Sequence, residues 1–421
     1  MSGRDPGGLL DRLVDATVIE RIVISFASLL FAVVVGGVIV TVSGTVATCR
    51  EPAFVLAGRE FCYDPIELYR TLFDGAFGSL INLGLTLQET SILLFTGLSV
   101  AVAFRAGLFN IGTQGQMVLG ALGSALTIGW VAPSLPGNIA GTLVIVPLAV
   151  LVATVVGGLY GALPGVMKAY ADAHEVITTI MLNFVAARVA FFLVSSYFGA
   201  PESQSVETRT VPGAAVLEST LFGSGSDFSV FVFVFGLALV AGLYYLIERT
   251  AFGYDLRTGG LQPEAAEYGG VDAERTVVTS MALSGALAGV GGAVWVLMVT
   301  GRFTAAVPAL GFDGITVSIL AGNNPLGVVP AALLFGVLKS GSLAVQLETG
   351  VPKQLVGVLR GLIILFVAMP EFFRLLGKRF VTPDREPVAT DGGEPIEALQ
   401  TPREAGSEPP GSEPEETGDG R

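Results

Sequence analysis

Charged residues interrupt the long apolar stretches of this sequence, and three of them, Glu89, Arg188 and Asp313, have the chemistry of a polar solute pathway. A charge is costly to hold against lipid, so a charged residue within a membrane span marks a solute or ion pathway by default. Amide side chains in the same stretches add hydrogen-bonding groups suited to a neutral solute rich in hydroxyls or shaped like a base. The amides included in the candidate pathway are Asn110, Gln114, Gln116, Asn183 and Asn323.

A structural role is the alternative for each of these residues. Glu89 and Arg188 could pair with each other, and the amides could tie neighbouring helices together, because unpaired polar groups within a membrane are costly. Nearby aromatic side chains could stack on a sugar or a base, or could simply pack. These aromatic residues are Phe184, Phe191, Trp295 and Phe312.

A polar island, Arg249–Arg275, lies between two apolar stretches. Pro263 opens a predicted short helix within it, because the N–H that proline lacks has no intrahelical partner in the first turn. Gly269 and Gly270 end this helix, since glycine adopts the left-handed conformation of helix C-termini without strain. A short capped helix between two membrane spans is suited to docking against a protein in the water. A solvated loop is the plain alternative.

The composition places these residues in a membrane protein. Of the 421 residues, 52% are hydrophobic and 14% are charged, and the mean hydropathy is +0.69, which is too apolar for a soluble chain of this length. Stretches of about 20 apolar residues recur, and each is long enough to cross a bilayer core of roughly 30 Å as a helix. The sequence therefore predicts an all-α polytopic membrane protein with about ten transmembrane helices.

The predicted spans include broken half-spans near the C-terminal end. The apolar run after residue 310 is interrupted at Asn323–Pro325, and backbone can break at membrane depth only where protein or a water-filled cavity surrounds it. If the break lies near the inner face, the two pieces are spans eight and nine, and Leu355–Met369 is the tenth. The first seven predicted spans are Ile22–Val42, Phe77–Ala103, Leu108–Val131, Ile139–Val166, Val176–Tyr197, Phe228–Ile247 and Val277–Val299.

Basic residues set the predicted orientation. They follow the second and fourth spans at Arg105 and Lys168, so the positive-inside rule places both termini in the cytoplasm. The chain then has a cytoplasmic N-terminus over 1–21, a transmembrane domain over 22–376 in the cell membrane, and an acidic cytoplasmic tail over 377–421. The tail is rich in Pro, Gly, Glu and Ser and is predicted to be disordered.

Two further features of composition carry predictions. The chain has 36 acidic against 23 basic residues, a balance that suits a cytoplasm of high salt and indicates a halophile. Both cysteines, Cys49 and Cys62, lie in the loop Ser43–Asp74, which is predicted to be outside the cell. An extracytoplasmic pair is compatible with a disulfide, and two free thiols are the alternative.

Three blocks of the sequence match a known pattern. Phe104–Ala121 reads FRAGLFNIGTQGQMVLGA, Ala173–Asn183 reads AHEVITTIMLN, and Gly260–Gly292 is followed by Arg302–Gly341. The first resembles an AFRAGLFNIGAEGQ-type block and the second a NEVI-type block, and the third resembles the loop-and-span region that such proteins have near their C-terminal end. Together they resemble the membrane permease subunits of ABC importers, in the family of ribose-type, nucleoside and simple-sugar permeases.

The resemblance departs from the family pattern at a few positions. Thr113 and Gln114 stand where the family usually has Ala-Glu, and His174 stands where it often has Asn. These departures bear on the assignment of the solute and not on the family. The resemblance implies a pathway for a nucleoside or a simple sugar, and a permease for branched-chain amino acids is an alternative.

The resemblance also implies partners. The polar island would be the coupling helix that docks into a separate ATPase subunit, and a second permease subunit and an extracellular solute-binding protein would complete the importer. ATP and Mg²⁺ would be held by the partner ATPase, so no cofactor or metal is expected on this chain. The residues assigned to coupling are Gly260, Pro263, Glu264, Ala265, Ala266, Tyr268, Gly269 and Gly270.

The sequence itself indicates no enzyme. The phosphate-binding pattern G-x-x-x-x-G-K-[ST] does not occur in it, and that loop is what cradles ATP phosphates. A stand-alone secondary transporter driven by an ion gradient is the alternative function. In that case Glu89 or Asp313 would bind the proton or sodium ion, and inverted repeats would be expected, although none is evident.

Overall fold

The computed structural model of the chain describes residues 18–49, 51–212, 222 and 226–368. The start of the predicted cytoplasmic N-terminus and the whole of the predicted acidic tail lie outside these residues. The orientation of the termini and the disorder of the tail therefore stay predictions.

The described residues are almost entirely helical, with one short hairpin near the beginning. The hairpin consists of β1 (Phe54–Leu56) and β2 (Arg59–Phe61), which pair antiparallel with Phe54 opposite Phe61. The first seven helices are α1 (Val18–Val46), α2 (Pro65–Phe77), α3 (Leu80–Arg105), α4 (Thr113–Val131), α5 (Ile139–Ala171), α6 (Glu175–Leu193) and α7 (Val230–Arg249).

The second part of the chain holds six more helices. A wider helical turn extends α6 over Val194–Phe198, and another extends α10 (Ala273–Val294) over Trp295–Thr300. The helices are α8 (Ala251–Leu261), α9 (Pro263–Tyr268), α10 (Ala273–Val294), α11 (Leu310–Leu320), α12 (Pro325–Glu348) and α13 (Lys353–Ala368).

Eight helices of the described residues are long and apolar enough to cross a membrane. Each of the first seven predicted spans overlaps one of them, and α12 is the eighth, which confirms the all-α polytopic class. The predicted total of about ten also counted α11 and α13, which are shorter than this length. That total stays a prediction.

The predicted outer loop Ser43–Asp74 is more structured than expected. Cys49 and Cys62 form a disulfide with their Cα atoms 5.7 Å apart, which decides between the two alternatives left open by the sequence. The amphipathic helix α2 follows, and its N–H groups at Ile66 and Glu67 are capped by the Asp64 carboxylate. This helix is too short to be recognised as a span, and the sequence assigned the segment to the outside without predicting it.

Small residues allow the central helices to approach closely. Gly157 and Gly161 on α5 face Gly285 and Gly289 on α10, and a Cβ atom added to any of the four would collide with the opposing backbone. This small-xxx-small pattern on both helices lets their backbones pack directly, as in other membrane helix pairs. On α4, Gly120 meets the same stretch of α10 at Gly289.

The ends of the helices define two ends of the bundle. Arg105 at the end of α3 hydrogen bonds to the carbonyl of Asn323, which lies in the break between α11 and α12. The break therefore lies at the same end as Arg105, which the sequence analysis assigned to the cytoplasm and which is called the inner end below. The hairpin and the disulfide follow the C-terminal end of α1. That end of the bundle is called the outer end.

Candidate functional site

A charged triad lies within the helical bundle. Lys339 on α12 places its Nζ atom 3.1 Å from Glu89 Oε2 on α3 and 3.0 Å from Asp313 Oδ2 on α11. The three side chains are 17 to 29% exposed, so they are largely shielded from solvent. Two carboxylates and one ammonium give the triad a net charge of −1. The ammonium group of Lys339 forms an ion pair with each carboxylate.

Lys339 is the member that the sequence analysis missed. In the sequence, Lys339 follows an apolar run and precedes small residues, a pattern that suggests the end of a half-span. The structure instead places it well inside a 24-residue helix. The signal was available, since a lysine within a continuous span needs a compensating charge. The suggested structural pair of Glu89 with Arg188 is not formed, because Glu89 pairs with Lys339.

Arg188 lies on the exposed face of α6. Thr179, Asn183 and Ala186 mark the buried face of that helix. At about 3.6 residues per turn, Arg188 lies on the opposite face. Phe184, one turn earlier on the exposed side, is 66% exposed. Among the residues that the structure describes, none forms an ion pair with Arg188.

The buried amides of α4 and its approach segment form a closed hydrogen-bonded cluster. Asn110 Nδ2 donates to Gln116 Oε1 at 2.8 Å and to Ser284 Oγ at 2.7 Å, and Gln116 Nε2 donates back to Asn110 Oδ1 at 3.1 Å. Ser284 Oγ in turn donates to the carbonyl of Ser99 at 2.6 Å. Three segments of the bundle are joined in this way, and both amide groups have partners within the protein.

Asn183 caps the start of α4 from the neighbouring helix. Its Oδ1 atom accepts the Gly115 N–H at 2.7 Å, and its Nδ2 atom donates to the Ile111 carbonyl at 2.9 Å. The first turn of a helix leaves its N–H groups without intrahelical partners, so a side chain from outside can satisfy one of them. Asn183 thereby holds α6 against the point where α4 begins.

Gln114 makes the corresponding link to α11. Its Oε1 atom accepts the Gly311 N–H at 2.8 Å, and its Nε2 atom donates to the Pro308 carbonyl at 2.9 Å. Two helices that begin after irregular segments, α4 and α11, are thus joined at their N-termini by one partly exposed side chain. Asp313 follows in the first turn of α11, where a negative charge suits the helix dipole.

We expect Asn183→Ala to destabilise the chain. The change leaves the buried Gly115 N–H and the partly buried Ile111 carbonyl without their Asn183 partners, and a buried group left unsatisfied costs about 1–3 kcal/mol. The measurement is the temperature at which half of the purified protein aggregates in detergent. Thr178→Ala on the same helix is the control, because the Thr178 hydroxyl bonds only within its own first turn. Equal aggregation temperatures for both variants would contradict the capping role.

Asn323 lies in the break between α11 and α12, at the inner end. Its backbone has a φ of +56°, which asparagine tolerates better than most residues, and its Oδ1 atom accepts a hydrogen bond from Ser318 at 3.0 Å. Its carbonyl accepts the Arg105 Nε–H at 2.9 Å. The residue therefore shapes the break between α11 and α12.

The polar island contains two helices, α8 and α9. The predicted short helix is confirmed as α9, with Pro263 in its first turn and Gly269 at its C-cap, and Gly270 takes the left-handed conformation at φ +84°. Ala266 is 6% exposed and holds α9 against the chain, whereas Tyr268 is 97% exposed. The other predicted coupling residues with described side chains, apart from Gly260, are exposed: Glu264, Ala265, Gly269 and Gly270.

A groove separates the two helices of the polar island. It has a volume of about 480 Å³. Its lining residues are Tyr254, Thr258, Leu261, Gln262, Ala265, Ala266, Gly269 and Val271. Leu261 at its rim is 81% exposed, so the island presents apolar side chains to the water. Exposed apolar groups beside polar ones are typical of a protein-docking surface.

Comparisons with known proteins identify the family. The family model described as Branched-chain amino acid transport system / permease component matches residues 82–368. The guanosine ABC transporter permease protein NupP of Bacillus subtilis is 35% identical over 75% of this chain and 89% of its own length. The nucleoside ABC transporter permease protein NupB of Lactococcus lactis is 36% identical over 73% of this chain and 85% of its own.

A third relative comes from a haloarchaeon. The glucose ABC transporter permease protein TsgB13 of Haloferax volcanii is 32% identical over 74% of this chain and 82% of its own length. The matched regions include α3 to α13, with the triad, the amide cluster and the polar island. The chain therefore belongs to this family of permeases and is a multi-pass membrane subunit of an ABC transporter.

Proposed function

We propose that this chain forms the pathway of an ATP-driven importer that carries a nucleoside or a simple sugar into the cell. The observation that carries the proposal is the identity to the guanosine and nucleoside permeases over most of both chains. The similarity to the glucose permease supports a simple sugar as the alternative solute. The hydrogen-bonding side chains along the bundle suit either solute, because both are neutral and rich in hydroxyl groups.

The exposed face of α6 is the proposed wall of the pathway. An arginine against lipid at mid-membrane costs at least about 2.5–3.5 kcal/mol, so Arg188 requires water, solute or a second protein in front of it. A second permease subunit facing α6 would enclose a water-filled pathway there. Phe184 would then be able to stack on a base or a sugar ring beside the guanidinium of Arg188.

The candidate pathway residues divide by exposure. Side chains that are at least partly exposed are proposed to contact the solute: Glu89, Gln114, Arg188 and Asp313. The buried amides Asn110, Gln116 and Asn183 are proposed to hold the helices that line the pathway, since their hydrogen bonds are already made within the protein. Asn323 is proposed to lie at the inner mouth.

The polar island is the proposed docking element for the ATPase. ATP and Mg²⁺ are proposed to bind on that partner and not on this chain. Docking uses the exposed surface of α9 together with the end of α8, and the residues assigned to it are Gly260, Pro263, Glu264, Ala265, Ala266, Tyr268, Gly269 and Gly270. A movement of the docked helix would then switch the pathway between outward- and inward-facing states.

The outer end is the proposed docking side for a solute-binding protein. Both termini would then lie in the cytoplasm, and the disulfide-linked hairpin would face the oxidising exterior, where disulfides persist. The chain is proposed to work in the cell membrane with a second permease subunit, which is identical or homologous.

Purification of the tagged chain under mild detergent, with mass spectrometry of what accompanies it, tests this proposal. An ABC ATPase and a second permease are the expected partners. Reconstituted into liposomes with the binding protein and ATP, the complex is expected to take up guanosine or glucose and not leucine. A chain that purifies alone and takes up solute in response to an ion gradient would overturn the proposal.

A further inference from the structure

Glu248 joins three elements at the inner end of the bundle. It lies in the last turn of α7, and each oxygen of its carboxylate faces a different arginine. Glu248 Oε1 is 3.2 Å from Arg105 NH1, at the end of α3, and Glu248 Oε2 is 2.7 Å from Arg257 NH1, on α8. A single carboxylate therefore holds the polar island to two helices of the bundle.

Arg105 extends this link to the break between α11 and α12. Its Nε–H group donates to the Asn323 carbonyl at 2.9 Å, while its NH1 atom faces Glu248. The planar guanidinium presents several N–H groups in fixed directions, so a shift of Glu248 reorients all the contacts of Arg105 together. The chain of contacts runs from Arg257 through Glu248 and Arg105 to Asn323.

A backbone contact keeps the polar island in register with α3. Gly260, at the end of α8, lies against the turn that follows Arg105. A Cβ atom added to Gly260 would be 2.5 Å from the Ala106 carbonyl carbon and 2.7 Å from the Gly107 nitrogen. The backbones touch with no side chain between them, so α8 cannot tilt without moving the Ala106–Gly107 turn.

The break leads back to the charged triad. α11 begins at Leu310, carries Asp313 in its first turn and ends immediately before the break. The short helix α11 therefore has the Asn323 contact at one end and the Asp313–Lys339 ion pair at the other. A displacement of the break is transmitted along a rigid helix of 11 residues to an intramembrane charge.

We propose that Glu248 is the positioning residue that transmits movement of the polar island to α11 and hence to the pathway. This inference rests on the proposed function, since it concerns how ATPase movement reaches the solute. Partly exposed ion pairs contribute little to stability, and the side chains here are 23 to 34% exposed. Loss of the carboxylate is therefore expected to impair transmission and not folding.

The test compares Glu248→Gln with the wild-type complex in proteoliposomes. ATPase co-purification and ATP hydrolysis are expected to stay within about twofold of wild type, while ATP-dependent uptake falls about tenfold. The ATP hydrolysed per solute transported therefore rises at least about fivefold. Glu248→Asp, which keeps the charge, is expected to recover most of the uptake. An unchanged ratio in Glu248→Gln would overturn the inference, as would a proportional loss of assembly, hydrolysis and uptake.

Glu175→Gln is the matched control, because it breaks another ion pair at the inner end, between Lys168 and Glu175 at 2.8 Å. This pair lies at the α5–α6 turn, outside the chain of contacts, and the ratio of ATP to solute is expected to stay at the wild-type value. A rise equal to that of Glu248→Gln would count against the inference. The wild-type chain is measured first. If it neither co-purifies with an ATPase nor supports ATP-dependent uptake, the proposed function is refuted before any variant is compared.

A glycine pair supplies a second, independent comparison. Gly260→Ala places a methyl group against the backbone at Ala106, whereas Gly259→Ala meets only the Thr276 methyl group at 3.6 Å. The first change is expected to raise the ratio of ATP hydrolysed to solute transported, and the second to leave it unchanged. Equal ratios for the two variants would overturn the role of this contact.

Discussion

Deleting Glu264–Tyr268 is expected to abolish binding of the ATPase subunit while the membrane-spanning helices stay assembled. The deletion removes α9, whose side chains at Glu264, Ala265 and Tyr268 are exposed. Ala266, at 6% exposure, is the one described side chain of α9 that is buried, so little of the core is lost. The measurement is the amount of ATPase that co-purifies with the tagged chain, beside the yield of folded chain from the membrane.

A single substitution sharpens this prediction. Tyr268 is 97% exposed at the tip of the polar island, and exposed tyrosines that become buried in an interface often dominate its binding energy. Tyr268→Ala is expected to weaken ATPase binding by about 2 kcal/mol, or roughly 30-fold. Tyr170→Ala is the control, since Tyr170 is 66% exposed near the end of α5 and outside the island. Equal affinities for both variants, or full ATPase binding after the deletion, would contradict α9 as the docking helix.

The membrane architecture was predictable because hydropathy depends on local sequence alone. The first seven predicted spans correspond to helices, and the short helix of the polar island was predicted from Pro263 and the glycines that end it. The amphipathic helix α2 was missed, because it has 13 residues and buries only a narrow face. Its capping residue Asp64 was a usable signal. Hydropathy averages hide such a helix, whereas a capped start followed by an amphipathic period reveals it.

The site was less predictable, because side-chain partners depend on tertiary contacts. The sequence nominated Gln114 and Asn183 as polar groups of the pathway, and that assignment stays a prediction. The sequence alone could not show that Asn183, which is far from α4 in the chain, caps the start of that helix. Nor could it show that Gln114 joins the starts of two helices. Both amides have their donors and acceptors satisfied by backbone groups. The ion pair Lys168–Glu175 joins residues close in the sequence and could have been predicted. The ion pair Arg105–Glu248 joins residues far apart in the sequence and could not.

The network at the inner end gives the polar island a physical connection to the pathway. A docking helix is useful only if its movement reaches the solute, and the contacts of Glu248 and Arg105 supply a continuous route to α11. The same route explains why two sequence blocks that resemble the family, around Arg105 and around Gly260, are brought together at one point in the fold. The break at Asn323 lies there as well.

Lys339→Met is expected to be far more damaging than loss of either acid in the triad. Glu89 and Asp313 would be left no more than about 6 Å apart, because each lies about 3 Å from the same lysine nitrogen. Removing one partner of a fully buried ion pair typically costs about 3–5 kcal/mol, and the partial exposure of these three side chains lowers that cost here. Like charges at short distance add to that cost. The measurement is the aggregation temperature of the purified variant in detergent, together with its yield from the membrane.

The ranking of variants separates charge compensation from simple loss of packing. Glu89→Gln and Asp313→Asn each leave one acid beside Lys339, so both are expected to be tolerated better than Lys339→Met. The triple variant Glu89→Gln, Asp313→Asn, Lys339→Met has no charge in the triad and is expected to regain most of the lost stability, because replacing a whole shielded ionic cluster is often nearly neutral. If Lys339→Met were as stable as the wild-type chain, the triad would not be a compensated cluster. If the triple variant were stable but inactive, the charges would act on the solute as well as compensating one another, because the helices would be assembled while the pathway failed.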